Sequence, residues 1–200
     1  MARWREGSVA ALMDLSVTGT TLGRMLGPES PGGGGVALRV EVVDPVGSVA
    51  RRALRAHMDD IASRWYGRPA TTEEIDRGLV EHPSDDLRAP DGLFLVAQQG
   101  PTVLGCAGLR FLGEGVGEVT RVYVAPPARG KGLGRRLMLR LEQLARERRV
   151  QTLRLDTRSD LVEARAMYAS LGYVEVPAFN KGPFAQHWFS KTLVEGLRER

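Results

Sequence analysis

Between Leu38 and Val43 apolar and polar side chains largely alternate, the period-two pattern of a half-buried strand. From Ser48 the spacing changes: Val49, Leu54, Met58, Ile61 and Trp65 recur mostly at three- and four-residue intervals up to Tyr66, and Gly67 follows as a stop, which predicts an amphipathic helix. Thr71 with Glu74 resembles a capping box and predicts a second helix through Leu79. Beyond the polar loop EHPSDDLRAPDG, Leu93 to Gln98 and Thr102 to Leu112 read as strands joined by a Gly-Pro turn, an antiparallel hairpin. Gly113 to Gly117 predicts another turn and Glu118 to Val124 a further strand. The rest reads as a helix to about Arg148, the strand LRLDT, a helix opened by Asp160 with Glu163 three residues on and stopped by Gly172, and two strands, YVEV and AQHWFSKTL, around the loop PAFNKGP. The pattern predicts one mixed α/β domain over residues 36–200, without internal repeats.

The first 35 residues follow a different rule. They carry only a marginal helical pattern near Val9 to Leu15 and end in Pro31 and four glycines, a linker composition. They are expected to form a poorly ordered extension, and Arg3, Arg5, Glu6, Asp14 and Arg24 interrupt any secretory apolar core. A translation start at Val36 is one reading of this boundary; mass spectrometry of the native N-terminus would decide it.

Composition narrows the classes. With 42% hydrophobic and 26% charged residues in 200, the chain can bury a sizeable core. Its 28 basic and 24 acidic residues leave a net charge of +4, an excess too small and too local to single out nucleic acid as the partner. The lone Cys106 excludes an internal disulfide or a cysteine-rich zinc cage, and His57, His82 and His187 show no metal-ligand spacing, so no metal is expected. No apolar run approaches the roughly 18 residues of a membrane span. A cytoplasmic protein without membrane partner is expected, with a homodimer left open.

The unusual segment is VYVAPPARGKGLGRRLMLRL, in which a strand runs through two prolines and three evenly spaced glycines into a helix. Glycine permits φ > 0 and close approach of a ligand to the backbone, while a helix start offers free N–H groups and the positive end of the macrodipole. The segment therefore reads as an anion cradle. It is not a P-loop, since Gly132 rather than Ser or Thr follows Lys131. Nor does the spacing of Gly130, Gly132 and Gly134 fit a dinucleotide fingerprint.

Arg129-Gly130-Lys131-Gly132-Leu133-Gly134 resembles the Arg/Gln-x-x-Gly-x-Gly/Ala signature of the GNAT N-acetyltransferase superfamily, placed after the strand ending at Val124 as in that family. ARAMYASLGY, from Ala164 to Tyr173, resembles a second family pattern, and together the likeness spans about residues 38–193. One position departs: Leu161 stands where the family often has Asn, seven residues before Tyr168. The resemblance implies a largely antiparallel central sheet, flanked by helices, with one parallel pair splayed at the cofactor site. It also implies acetyl-CoA as cosubstrate, its pyrophosphate held by the amides of Gly130 to Arg135, with Leu133 among them and with charge from Arg129, Lys131 and Arg135. Val122, Tyr123 and Val124 would pair by backbone with the pantetheine arm. Solvation of Lys131 and Arg135 as ordinary surface cations is the plain alternative.

Acetyl transfer needs a neutral amine, and a lysine-like amine of pKa ~10.4 is neutral in only about one molecule in 2,500 at pH 7. Glu118 is the candidate base, expected by period two to share a face with Thr120, Val122 and Val124, or else to be an exposed carboxylate near a turn. Tyr168 matches the family tyrosine that serves the departing thiolate; its alternative is a core residue beside Ala164 and Leu171. A backbone N–H near Val124 would serve the thioester carbonyl. Cys106, mid-strand among apolar neighbours, reads as a structural thiol, so direct transfer in a ternary complex is expected. Asn180 is a candidate for the acceptor side, with a plain loop as the alternative, and Trp65, Tyr66 and Arg68 are candidates for its facing wall, with core packing of the aromatics as the alternative. The expected function is N-acetylation of a small amine or amino-acid-like metabolite; the alternatives are a protein lysine or N-terminal acetyltransferase and a non-catalytic acyl-CoA-binding module.

Overall fold

Strands β2 (Gly92–Gln99) and β3 (Thr102–Phe111) form the predicted hairpin at the heart of a computed structural model that describes residues 36–193. The expected N-terminal extension lies outside the described residues. Gly92 to Ala97 are buried on both faces, which is why this strand reads as an unbroken apolar run. Around the hairpin the sheet runs in the order β1-β2-β3-β4-β5-β7-β6, where β1 is Leu38–Val42, β4 Val116–Val124, β5 Thr152–Thr157, β6 Val174–Glu175 and β7 His187–Thr192. Every neighbouring pair is antiparallel except β4 and β5, which are parallel.

Two helical layers cover the faces. Helix α3 (Leu133–Glu147) buries Leu133, Leu137, Met138, Leu141 and Ala145 against Leu93, Leu95, Leu109 and Leu153. Shortening a fully enclosed side chain such as Leu137 or Leu141 to alanine costs about 2–5 kcal/mol. Helix α4 (Val162–Ser170) adds Tyr168 to the same core. On the other face, α1 (Ser48–Tyr66) packs Ala50, Ala53 and Leu54 on Phe94, Val96 and Cys106. Helix α2 (Thr72–Glu81) begins with the expected capping box: the Glu74 amide donates to the Thr71 hydroxyl and the Thr71 amide to the Glu74 carboxylate.

Two local expectations fail. Helix α4 is not opened by Asp160: its cap is Leu161, which makes no side-chain cap bond, because the Asp160 carboxylate is taken by the Arg158 guanidinium instead. The second correction concerns β4. Its pairing with β3 slips between Cys106 and Gly108, so Arg121 and Val122 together oppose Ala107, and Arg121 takes the left-handed φ of 54°. This β-bulge inverts the alternation. Val119, Val122 and Val124 therefore face α3 while Tyr123 faces α1, and Glu118 does not share a face with Val122 and Val124.

Candidate active site

The β4–β5 ladder holds only three residue pairs, the last being Glu118 with Arg154. Past that point the strands part, leaving the β5-side edge of Thr120 to Val124 without a strand partner. The opening leads into a cleft of about 1290 Å³ between α1, β4, β5 and α4.

At one end of the cleft lies the glycine turn. A single 3-10 turn (Pro126–Ala128) brings the chain off β4, and Gly130 and Gly132 take φ values of 72° and 77° before α3 starts. The Arg129 amide donates to the Pro126 carbonyl and the Arg136 amide to that of Gly132; between them, the amides of Gly130 to Arg135 donate to no described residue. Such a run at the positive end of a 15-residue helix is a built anion cradle and fits a pyrophosphate. The three glycines have different reasons. A Cβ on Gly132 would meet nothing within 4 Å, so its requirement is the left-handed backbone, whereas one on Gly134 would lie 2.8 Å from the Met167 sulfur, so its requirement is close packing of α3 on α4.

The three cations of the signature have different surroundings. Arg129 donates to the Val124 carbonyl at 2.9 Å and to Asp60 Oδ1 at 2.6 Å, tying the cradle to α1. Lys131 Nζ donates to the Pro127 carbonyl at 2.8 Å. Arg135 lines the cleft and pairs with no described carboxylate. Leu161, at the departing position, lines the cleft as an apolar surface.

Tyr168 lines the cleft from α4, 5% exposed, among Tyr173 and Phe189. Its hydroxyl bonds no described residue, nor is it among the enclosed unpartnered polar atoms, so it reaches open space. Burial pushes its phenol well above the usual tyrosine range, and the charge of Asp156 acts in the same direction. The group is a hydrogen-bond donor that holds its proton at neutral pH. Tyr168 thus packs in the core and lines the cleft at once.

Glu118 sits at the fork itself, on the α1 side of the sheet, with Arg110 Nη1 at 3.6 Å and Arg154 Nη2 at 3.4 Å. Two strand positions farther, on β5, is a carboxylate that the sequence reading did not select. Asp156 lines the cleft and accepts at 2.8 Å from Asn180, which in turn accepts at 2.8 Å from the Trp188 indole. The alternation of LRLDT, which puts Asp156 on the face of Arg154, was the available signal. Asn180 is not among the residues lining the cleft and instead holds Asp156 in place.

The far end of the cleft is aromatic. Trp65 and Phe184 meet edge-on at 5.1 Å, His82 lies 6.1 Å from Phe184, and Arg158 stacks over Trp65. Trp65 and Phe184 remain 53% and 41% exposed, large apolar surface left open at the mouth. Tyr66 is stacked by Arg68, whose guanidinium grips Glu74. Behind this wall His57 is buried edge-on to Tyr123; burial, reinforced by the Arg121 charge, pulls its imidazole down to about 3, so it is neutral. Cys106 is buried and its thiol is pushed up by burial, consistent with a structural role. No group of metal-binding side chains occurs among the described residues, and no described helix is long and apolar enough to cross a membrane.

A sheet opened at one parallel pair, with an amide cradle beside the opening, defines the class of acyl-CoA-dependent transferases. Residues 55–173 match the Acetyltransferase (GNAT) family, and the chain belongs to it. An IAA acetyltransferase of Azospirillum brasilense is 36% identical over 125 residues, covering 58% of this chain and 78% of that protein. The N-alpha-acetyltransferase RimI of Mycobacterium tuberculosis is 35% identical over 94 residues, covering 46% of this chain and 58% of that protein. Among solved structures, the PaiA N-acetyltransferase of Thermoplasma acidophilum in complex with coenzyme A superposes with a TM-score of 0.60 at 19% identity, covering 77% of this chain and 99% of that one.

Proposed function

We propose that this protein transfers the acetyl group of acetyl-CoA to the primary amine of a small metabolite by direct transfer in a ternary complex, giving the acetamide and free coenzyme A. The observation that carries this reading is the continuity of one cleft from the unpartnered amides of Gly130 to Arg135, past the fork at Glu118, to the aromatic wall of Trp65 and Phe184. In the bound state acetyl-CoA supplies an activated acyl carbon and a thiolate leaving group. The amides of Gly130 to Arg135 hold the pyrophosphate, and the open edge of Val122 to Val124 aligns the pantetheine arm. Arg129 acts through geometry, fixing the turn between Val124 and α1, rather than as a free phosphate ligand. Glu118 takes the proton of the attacking amine, directly or through water. Tyr168 donates a hydrogen bond to the departing sulfur, which a phenol with so firmly held a proton does more readily than it transfers that proton.

Acetylation of a protein N-terminus is the second reading, supported by the similarity to a protein named as an N-alpha-acetyltransferase. Release of coenzyme A, followed with a thiol reagent across a panel of amines, amino acids and short peptides, tests both. Turnover of small amines with refusal of peptides supports the first reading; the reverse pattern supports the second. Tight acetyl-CoA binding without release for any amine would leave a binding module.

A further inference from the structure

The bulge on β4 places an arginine where the sheet opens. Arg121 pays twice for that position in local terms: its backbone is left-handed, which non-glycine residues rarely adopt, and its guanidinium is part-buried without an acidic partner among the described residues. Its donors go to neutral oxygens, with Nε on the Ser84 hydroxyl at 3.1 Å and Nη2 on the His82 and Pro83 carbonyls at 2.8 and 3.3 Å. Nη1 has only a long contact of 3.4 Å to the Thr120 hydroxyl, so donor capacity remains. The carboxylate whose charge acts on it, Asp86, is itself paired with Arg110. Burial and the Arg110 charge both disfavour the cation here.

Tethering the His82–Ser84 loop does not explain such a group. Neutral acceptors can be bridged by a neutral side chain, which brings no unpaired charge into a low-dielectric site. Arg121 also lines the cleft, and it lies on the same sheet face as Asp156, the two on opposite limbs of the fork. Asp156 keeps an oxygen that is not engaged by Asn180. Opposite charges on the two limbs match a zwitterion.

We infer that the acceptor is a free α-amino acid, its carboxylate taken by Arg121 and its amino group directed toward Glu118 and Asp156. This rests on the acetyltransferase reading above and narrows its acceptor. With Nε and Nη2 anchored on the His82–Ser84 loop, Nη1 donates a charge-assisted hydrogen bond to the carboxylate, so removing the carboxylate charge from the acceptor strands the buried cation. The aromatic wall then receives the side chain of the amino acid.

The test compares each of the twenty free amino acids with its carboxamide, as kcat/KM per neutral amine, for the wild type and for Arg121→Met and Arg121→Lys. At least one amino acid is expected to exceed its carboxamide at least tenfold in the wild type. Arg121→Met should shrink that preference to about threefold or less, and Arg121→Lys, which keeps the charge but cannot both anchor on the loop and present Nη1, should lie between. The wild-type comparison requires no variant to fold, and melting temperatures report on the variants. Acetylation of simple amines or peptides with every amino acid refused, or no acid-over-amide preference, overturns the inference while the transferase reading stands. Absence of coenzyme A release with all amines overturns both.

Discussion

Glu118 and Arg154 are the last pair in the β4–β5 ladder, and their side chains meet at 3.4 Å where the two strands separate. The carboxylate is thus fixed at the fork, with Arg110 on its other side. Glu118→Gln keeps the shape and cannot accept a proton at neutral pH. Its kcat/KM is expected to fall about tenfold or more near pH 7 and to recover toward pH 9, where the amine's own ionisation supplies the neutral form. A deficit equal at every pH would mean lost positioning. A pH-dependent deficit in Asp156→Asn rather than Glu118→Gln would move the proton acceptor to β5.

The cradle makes two distinguishable predictions. Gly132→Val forces a side chain onto a left-handed backbone and is expected to weaken acetyl-CoA binding more than tenfold, about 1.4 kcal/mol or more, by calorimetric titration. Gly134→Ala instead drives a methyl into Met167, so the loss there should be relieved in Gly134→Ala/Met167→Ala. Unchanged affinity in Gly132→Val sinks the cradle; no relief in the double variant sinks the packing explanation of Gly134.

Tyr168→Phe retains the ring between Tyr173 and Phe189 and removes only the cleft-facing hydroxyl. Acetyl-CoA affinity is expected to hold within about twofold while kcat drops at least tenfold. Equal loss of affinity and turnover would return Tyr168 to a purely structural role.

His57 links packing to acid stability. Its folded-state pKa, about 3, lies below the ordinary value of 6.5, so the unfolded chain binds a proton that the folded one refuses. Stability from this group is complete above about pH 6.5 and declines as pH falls toward 3, by up to roughly 1.4 kcal/mol per pH unit. His57→Phe, which preserves an edge-on ring beside Tyr123, should flatten the difference in urea midpoint between pH 7 and pH 5. Parallel acid limbs in the two proteins would exclude His57 as the titrating group.

Much of this architecture was legible in the chain because local chemistry and tertiary fold agree. Thr71 and Glu74 cap α2 as their spacing implies, Gly67 ends α1 in the left-handed conformation, and the cradle follows from three glycines at a strand-to-helix turn. What was hidden is non-local. The alternation of β4 gives no sign that Arg121 and Val122 share one partner on β3, since a bulge is fixed by the pairing and not by either strand's pattern. Likewise, nothing in residues 129–135 shows that Asp60, far away on α1, will claim Arg129, and Asp160, just before α4, is drawn to Arg158 rather than to the helix start.

The brevity of the β4–β5 ladder has a mechanical meaning. Strands β1 to β4 and strands β5 to β7 are two leaves whose hydrogen-bonded seam is only three residue pairs long, with α3 packed across both. In the proposed reaction a long cosubstrate laid in the gap would act as binding thread along the edge of β4 that the protein leaves unpaired. Loading it first would set both limbs before the second substrate arrives, so the expected order of binding under the proposed reaction is cosubstrate, then acceptor.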